Sequence, residues 1–84
     1  MKYNFDIQVY KGIPLQLINT TYKDKKAKRF RINNTKENLW IPNRHLEEDG
    51  TINLNEDLDY IFRMSTKALR LARIESSDIM QFFI

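Results

Sequence analysis

The single histidine, His45, opens the stretch that comes nearest to a chemical site: His45-Leu46-Glu47-Glu48-Asp49-Gly50-Thr51-Ile52-Asn53-Leu54-Asn55-Glu56. Laid on a twelve-residue EF-hand calcium loop, Asp49, Gly50 and Glu56 take positions 5, 6 and 12, where a ligand, the sharp turn and the bidentate carboxylate belong. Ile52 also falls where such loops carry an apolar residue. Against this, position 1 is His45 and position 3 is Glu47, which is too long for the tight geometry. The entering helix would have to contain Leu39-Trp40-Ile41-Pro42, which reads as strand and turn. The stretch is therefore expected to be an Asp-Gly turn leading into a capped helix. A lone histidine is a weak start for a metal centre, which normally draws three or four side chains.

Other chemistry is thinly supplied. The chain has no cysteine, which excludes disulfides, thiolate zinc sites and cysteine nucleophiles. Its only glycines are Gly12 and Gly50, too few and too far apart for a phosphate-cradling glycine loop. Serines stand only at 65, 76 and 77, and no motif links them to His45. Acid pairs such as Glu47-Glu48 and Asp57-Asp59 suit solvated charges at a helix start. The expectation is a non-enzymatic protein without metal or cofactor.

Basic residues are a clearer signal. Residues 1–44 hold ten Lys/Arg against three acids, and residues 45–84 hold four against eight. The net charge of +3 is thus polarised toward the first half. The densest cluster is Lys23-Asp24-Lys25-Lys26-Ala27-Lys28-Arg29-Phe30-Arg31. If Phe30 and Ile32 face a core, Arg29 and Arg31 face out, beside Tyr10, Tyr22 and Trp40 from neighbouring strands. A sheet face that combines guanidinium groups with aromatic rings is a recurrent single-stranded nucleic-acid platform, with phosphates on the charges and bases on the rings. The candidate nucleic-acid-binding residues are Lys25, Lys26, Lys28, Arg29 and Arg31, with Tyr22 or Trp40 stacking.

The rival class is a protein-binding module. Tyr60, Met64 and Leu71 lie outside the main apolar stripe of the C-terminal helix and form a second, partly apolar track with Lys67. The closing run Ile79-Met80-Gln81-Phe82-Phe83-Ile84 is costly to expose, at ~1.5–3 kcal/mol for each large side chain. It should be covered either by the protein's own sheet, as an added strand, or by a second subunit. Tyr60, Met64, Leu71, Phe82 and Phe83 are the candidate partner interface, and a homodimer is expected.

These residues need elements to position them. Eighty-four residues and 10.1 kDa suit one small domain, in which ~60% of the unfolded surface is buried and every large apolar residue counts. With 42% hydrophobic and 30% charged residues the chain is neither disordered nor membrane-spanning, and its N-terminus lacks the apolar stretch of a signal peptide, so a cytoplasmic setting is expected. Tyr3, Phe5, Ile7 and Val9 alternate with Asn4, Asp6 and Gln8 as in a half-buried strand. A turn at Lys11-Gly12 leads to a second strand over residues 15–22, a third over 28–33 and a short fourth over 39–41 that Pro42 ends. After Gly50 the period changes. Leu58, Ile61, Phe62, Ser65, Ala68, Leu69 and Ala72 mark one face of a helix over about 55–73, with Asn53 and Glu56 resembling a capping box.

The expected fold is α+β: a meander over 1–42, a turn over 43–54, one C-terminal helix and the tail at 79–84. The antiparallel sheet should be twisted and four- to five-stranded, open or curled into a partial barrel. The expected core is Phe5, Ile7, Val9, Leu15, Leu17, Phe30, Ile32, Ile41, Leu58, Ile61, Phe62 and Leu69.

Residues 38–52, with Trp40-Ile41-Pro42 ending a strand before a polar turn, resemble a segment of small uncharacterised phage and mobile-element proteins. The resemblance covers about a fifth of the chain and carries over no functional residue. It implies a setting, that of a small accessory protein acting on host or phage nucleic acid or on a host protein.

Overall fold

The first turn sets the phase of everything that follows it. Lys11 and Gly12 both have positive φ (48° and 87°), the pairing of a type I′ turn. That turn places Tyr10 opposite Ile13 and joins β1 (Gln8–Tyr10) to β2 (Ile13–Asn19). Ile13, Leu15 and Leu17 then point to one face, and with them Tyr10 and Gln8. Val9, opposite Pro14, points to the other face. The computed structural model describes residues 2–19 and 26–83. Within them, β3 (Ala27–Ile32) and β4 (Asn38–Pro42) complete an open antiparallel sheet whose spatial order follows the chain, β1-β2-β3-β4.

The phase corrects the expected core. Tyr10 is buried, whereas Phe5, Ile7 and Val9 are each at least half exposed. A one-residue shift inverts every side chain of a strand, and here the hairpin decided it. The alternation over residues 3–7 does not extend the strand either. Asp6 N donates to Asn4 Oδ1 in a local turn, and Asn4 N donates to the carbonyl of Asp49. The second strand starts earlier than expected, and its forecast continuation through residues 20–22 lies outside the described residues.

Both prolines sit where a missing donor costs little. Asn33 N donates to Pro14 O at the end of the β2–β3 ladder, so the absent Pro14 N–H is at the ladder's margin. Along β4, Ile32 N donates to Glu37 O and Asn43 N to Lys26 O. This phase turns Leu39 and Ile41 toward β3 and leaves the backbone of Asn38, Trp40 and Pro42 on the outer edge. A proline on an edge strand blunts its capacity to recruit another strand.

The helical layer comes in three short pieces instead of one helix: α1 (Asp59–Met64), α2 (Thr66–Leu71) and α3 (Ser76–Met80). Ser65 breaks the first from the second. Its hydroxyl donates back to Ile61 O and its N–H reaches Phe62 O, so the regular ladder is interrupted. Helix α2 ends with Arg73 in the left-handed region (φ 66°), Arg73 N donating to Arg70 O and Ile74 N to Leu69 O. Those two bonds are a Schellman ending with arginine in the place glycine favours. Asn33 Nδ2 caps the same end by donating to Ala72 O. The expected capping box does pair, Asn53 Nδ2 with Glu56 Oε2, but it closes a turn and the helix starts only at Asp59.

All this covers one side of the sheet. Phe30, Ile32, Leu39 and Ile41 from the sheet meet Leu58, Ile61, Phe62, Leu69, Ile79 and Phe82 from the helical layer. The tail is neither a fifth strand nor open to a partner at Phe82. Helix α3 and a 3-10 turn (Gln81–Phe83) fold it inward. The Phe82 ring lies on Phe62 (4.9 Å between centroids), and the Phe62 ring on Tyr10 (5.1 Å). No described helix is long and apolar enough to cross a membrane.

The Tyr10 hydroxyl donates to Asp59 Oδ1 at 2.6 Å and accepts from Leu58 N at 2.8 Å, while Lys11 Nζ holds Asp59 Oδ2 at 2.8 Å. Burial would raise the Asp59 carboxyl, but the hydrogen bonds from Lys11 and Tyr10 outweigh it and hold it below its ordinary value. Burial, then the bond to Asp59, pushes the Tyr10 phenol up from 10.0 to about 12. A group whose folded pKa is raised contributes stability below its unfolded pKa and loses it as pH rises. Stability should thus fall between about pH 10 and 12, by roughly 3 kcal/mol. Urea unfolding across that range measures it, and Tyr10→Phe should abolish this step while lowering stability at pH 7 by about 1–3 kcal/mol.

The two glycines predict unequal costs. A Cβ at Gly50 (φ 89°) would lie 2.7 Å from Leu17 Cδ2, whereas one at Gly12 would meet nothing within 4 Å. Gly50→Ala should cost about 2–4 kcal/mol, adding overpacking to left-handed strain, and Gly12→Ala only about 1–2. Thermal melting of the two variants separates the contributions.

Candidate nucleic-acid interface on the outer sheet face

The side of the sheet away from the helices is built by strand alternation alone. Register pairs Arg31 with Gln16 on one side and Asn38 on the other, and Arg29 with Trp40. Cross-strand partners share a face, so Arg29, Arg31, Trp40, Gln16, Pro14 and Val9 form one surface, joined by Ile7. Trp40 is 40% exposed. The Arg29 guanidinium carbon sits 5.5 Å from the centre of its ring, a cation–π arrangement. Arg29 Nε is enclosed there without a hydrogen-bond partner. Among the described residues no carboxylate lies in ion-pair range of Arg29 or Arg31.

Toward β1 the same face dips into a shallow hollow of about 290 Å³, lined by Ile7, Val9, Pro14, Gln16, Arg31 and Asn34 among others. Gln16 Nε2 donates to the Phe5 carbonyl, which fixes the amide and leaves Oε1 as an acceptor.

The expected site is therefore only partly assembled on this face. Arg29, Arg31 and Trp40 come together as expected. Tyr10 does not join them, being in the core. Lys28 has the inward parity of Phe30 and Ile32, and at the sheet's end its Nζ donates to Asn43 Oδ1. Lys26 is exposed just before β3. Lys25 and Tyr22 lie outside the described residues.

Of the expected partner surface, Met64, Leu71 and Phe83 are exposed on the helical layer, together with Met80. Phe82 is fully buried, and Tyr60 is half-buried and engaged. Its hydroxyl belongs to a chain of hydrogen bonds centred on His45. Glu56 Oε1 meets His45 Nδ1 at 2.6 Å, His45 Nε2 meets Tyr60 Oη at 2.7 Å, and Arg44 Nη2 donates to Tyr60 Oη at 2.9 Å. The bond to His45 holds the Glu56 carboxyl below its usual range, so the carboxylate is the acceptor of that pair. Both Glu56 oxygens are taken, the second by Asn53. The loop that resembled a calcium site is a tight hairpin instead, closed by the Leu46–Ile52 bridge with Glu47 N donating to Thr51 O. Among the described residues no three His, Asp or Glu side chains are grouped to hold a metal ion.

Sequence reasoning missed the hollow, because it assigned Ile7 and Val9 to the core. The Lys11-Gly12 dipeptide was the available signal, since a two-residue primed turn decides which face its flanking residues take. Comparison with protein-family models, curated proteins and solved structures finds no match.

Trp40 is the only tryptophan, so its fluorescence reports on this face alone. Arg29→Ala should uncover the ring, shifting emission to longer wavelength and raising acrylamide quenching. Unchanged spectra would mean that the guanidinium does not shield it in solution.

Proposed function

We propose that the protein binds nucleic acid through the outer face of its sheet, by charge and stacking and without catalysis. The observation that carries this reading is one surface holding Arg29, Arg31 and an exposed Trp40 with no described carboxylate to neutralise it. The Arg31 guanidinium and the outer nitrogens of Arg29, whose Nε is enclosed beside Trp40, supply donors for phosphate oxygens. The indole supplies a stacking surface for bases. Lys26 and Lys36, both exposed, extend the positive field at the ends of β3. The setting implied by the resemblance of the Trp40-Ile41-Pro42 segment, a small phage or mobile-element accessory protein acting on nucleic acid or on a host protein, agrees with such a role.

A second reading is favoured by Met64, Leu71, Met80 and Phe83, each more than half exposed on the helical layer. Single-residue exposure is common, but four large apolar side chains in one layer suit docking to a host protein or to a second copy. Sedimentation of wild type against Met64→Ser and Leu71→Ser reads the self-association arm as a loss of dimer mass.

Titration of Trp40 fluorescence with short oligonucleotides tests the first reading. Affinity should fall steeply with salt, and Arg29→Ala with Arg31→Ala should lower the slope of log K against log salt by about 1.4, as for two single-strand phosphate contacts. Absence of binding to any oligonucleotide at low salt would leave the protein-partner reading in its place.

A further inference from the structure

The exposed apolar residues in and just before β1 have no role in the core and none in phosphate binding. Ile7 is 60% and Val9 50% exposed, in a domain small enough to need every apolar side chain. They are not scattered. With Pro14 they form the apolar part of the hollow, and Gln16, Arg31 and Asn34 supply its polar part. We infer that this hollow is a subsite for one unstacked nucleobase of a single strand whose backbone is held by Arg29 and Arg31. The inference rests on the nucleic-acid reading and names its substrate class and second contact point.

Three features select this occupant. The first is chemical match: a base has two apolar faces and an edge of donors and acceptors. The hollow offers apolar contact from Ile7, Val9 and Pro14, with guanidinium donors from Arg31 and the fixed Oε1 acceptor of Gln16 beside it. The second is charge. The described lining contains a cation and no carboxylate, which suits a base tethered to phosphates and disfavours an acidic peptide less than it disfavours a basic one. The acidic peptide has no use for the apolar wall, whereas a base fills it. The third is placement. Arg31 borders the hollow and Arg29 covers Trp40, and the two arginines are two residues apart on β3, about 7 Å along the strand. One base on Trp40 and another in the hollow can therefore share a backbone that runs past both guanidinium groups. A duplex hides its base faces in the stack and offers nothing for the hollow to receive.

The test pairs the double variant Ile7→Ser with Val9→Thr, which removes apolar contact without adding charge, with two eight-nucleotide probes. One is oligothymidylate, and the other carries the same phosphates on abasic sugars. Trp40 fluorescence or, for the abasic strand, anisotropy of an end label reads affinity. The variant should bind oligothymidylate about fivefold more weakly than wild type, the scale of one lost base contact, and bind the abasic strand equally well. Equal affinity of variant and wild type for oligothymidylate, or the same loss on both probes, overturns the subsite while leaving nucleic-acid binding intact. Failure of the wild type to bind either probe overturns the parent reading as well. If the double variant melts below wild type, the isosteric Val9→Thr alone carries the same comparison.

Discussion

The phenol of Tyr10 is where the sheet and the helices become one structure. Its ring closes a stack with Phe62 and Phe82, the first from α1 and the second from the segment after α3. Its oxygen accepts the N–H of Leu58, the residue that caps α1, and donates to Asp59 in the first turn. Helix α1 has no side-chain cap from its own N-terminal residue. A strand on the opposite layer thus satisfies a donor that the helix cannot satisfy for itself. Six-residue helices are marginal alone, so their existence depends on such tertiary bonds and on the apolar face they bury.

That dependence explains why the molecule is one-sided. Every helical piece is drawn to the face that carries Tyr10, Leu15, Leu17, Phe30, Ile32, Leu39 and Ile41. Nothing among the described elements is left to cover the opposite face, where β3 presents arginines and β4 presents tryptophan. The basic first half supplies the arginines of the uncovered face. The acids of the second half gather at Glu47, Glu48, Asp49, Glu56, Asp57 and Asp59, in the hairpin and the approach to α1, and beyond them the helices carry more basic than acidic residues.

What could be read from sequence was whatever one local rule decided. Alternation in Leu15-Leu17 and Phe30-Ile32 and the 3.6 period from Leu58 to Ala72 each gave the buried face correctly. The shared face of Arg29, Arg31 and Trp40 followed from that phase. Errors arose where two local signals conflicted or a distant partner intervened. Residues 3–9 alternate perfectly, yet a turn two residues further on set the opposite phase, and Gln8 gained bonds to Ile52 N and Gly50 O by pointing inward. The single long helix failed at Ser65, whose hydroxyl competes for a backbone carbonyl without disturbing the apolar spacing. The tail looked like a strand because β-branched and aromatic residues crowd it. Burying Ile79 and Phe82 together required helical spacing, and the Phe62 ring provided the reason. The His45 network had no legible signature, since Tyr60, Glu56 and Arg44 meet only after the hairpin at 46–52 folds back.

The order of strands in the sheet matches their order in the chain, and this has a consequence for biosynthesis. Each strand pairs with the one just made, so hairpins can form as they leave the ribosome without waiting for distant sequence. The residues that shelter their apolar side, Leu58 through Phe82, arrive only afterwards. At ~5–20 residues per second the nascent sheet stays unsheltered for a few seconds. During that interval a greasy, half-made surface is offered to whatever the cell holds nearby, and holdase chaperones are the natural first visitors.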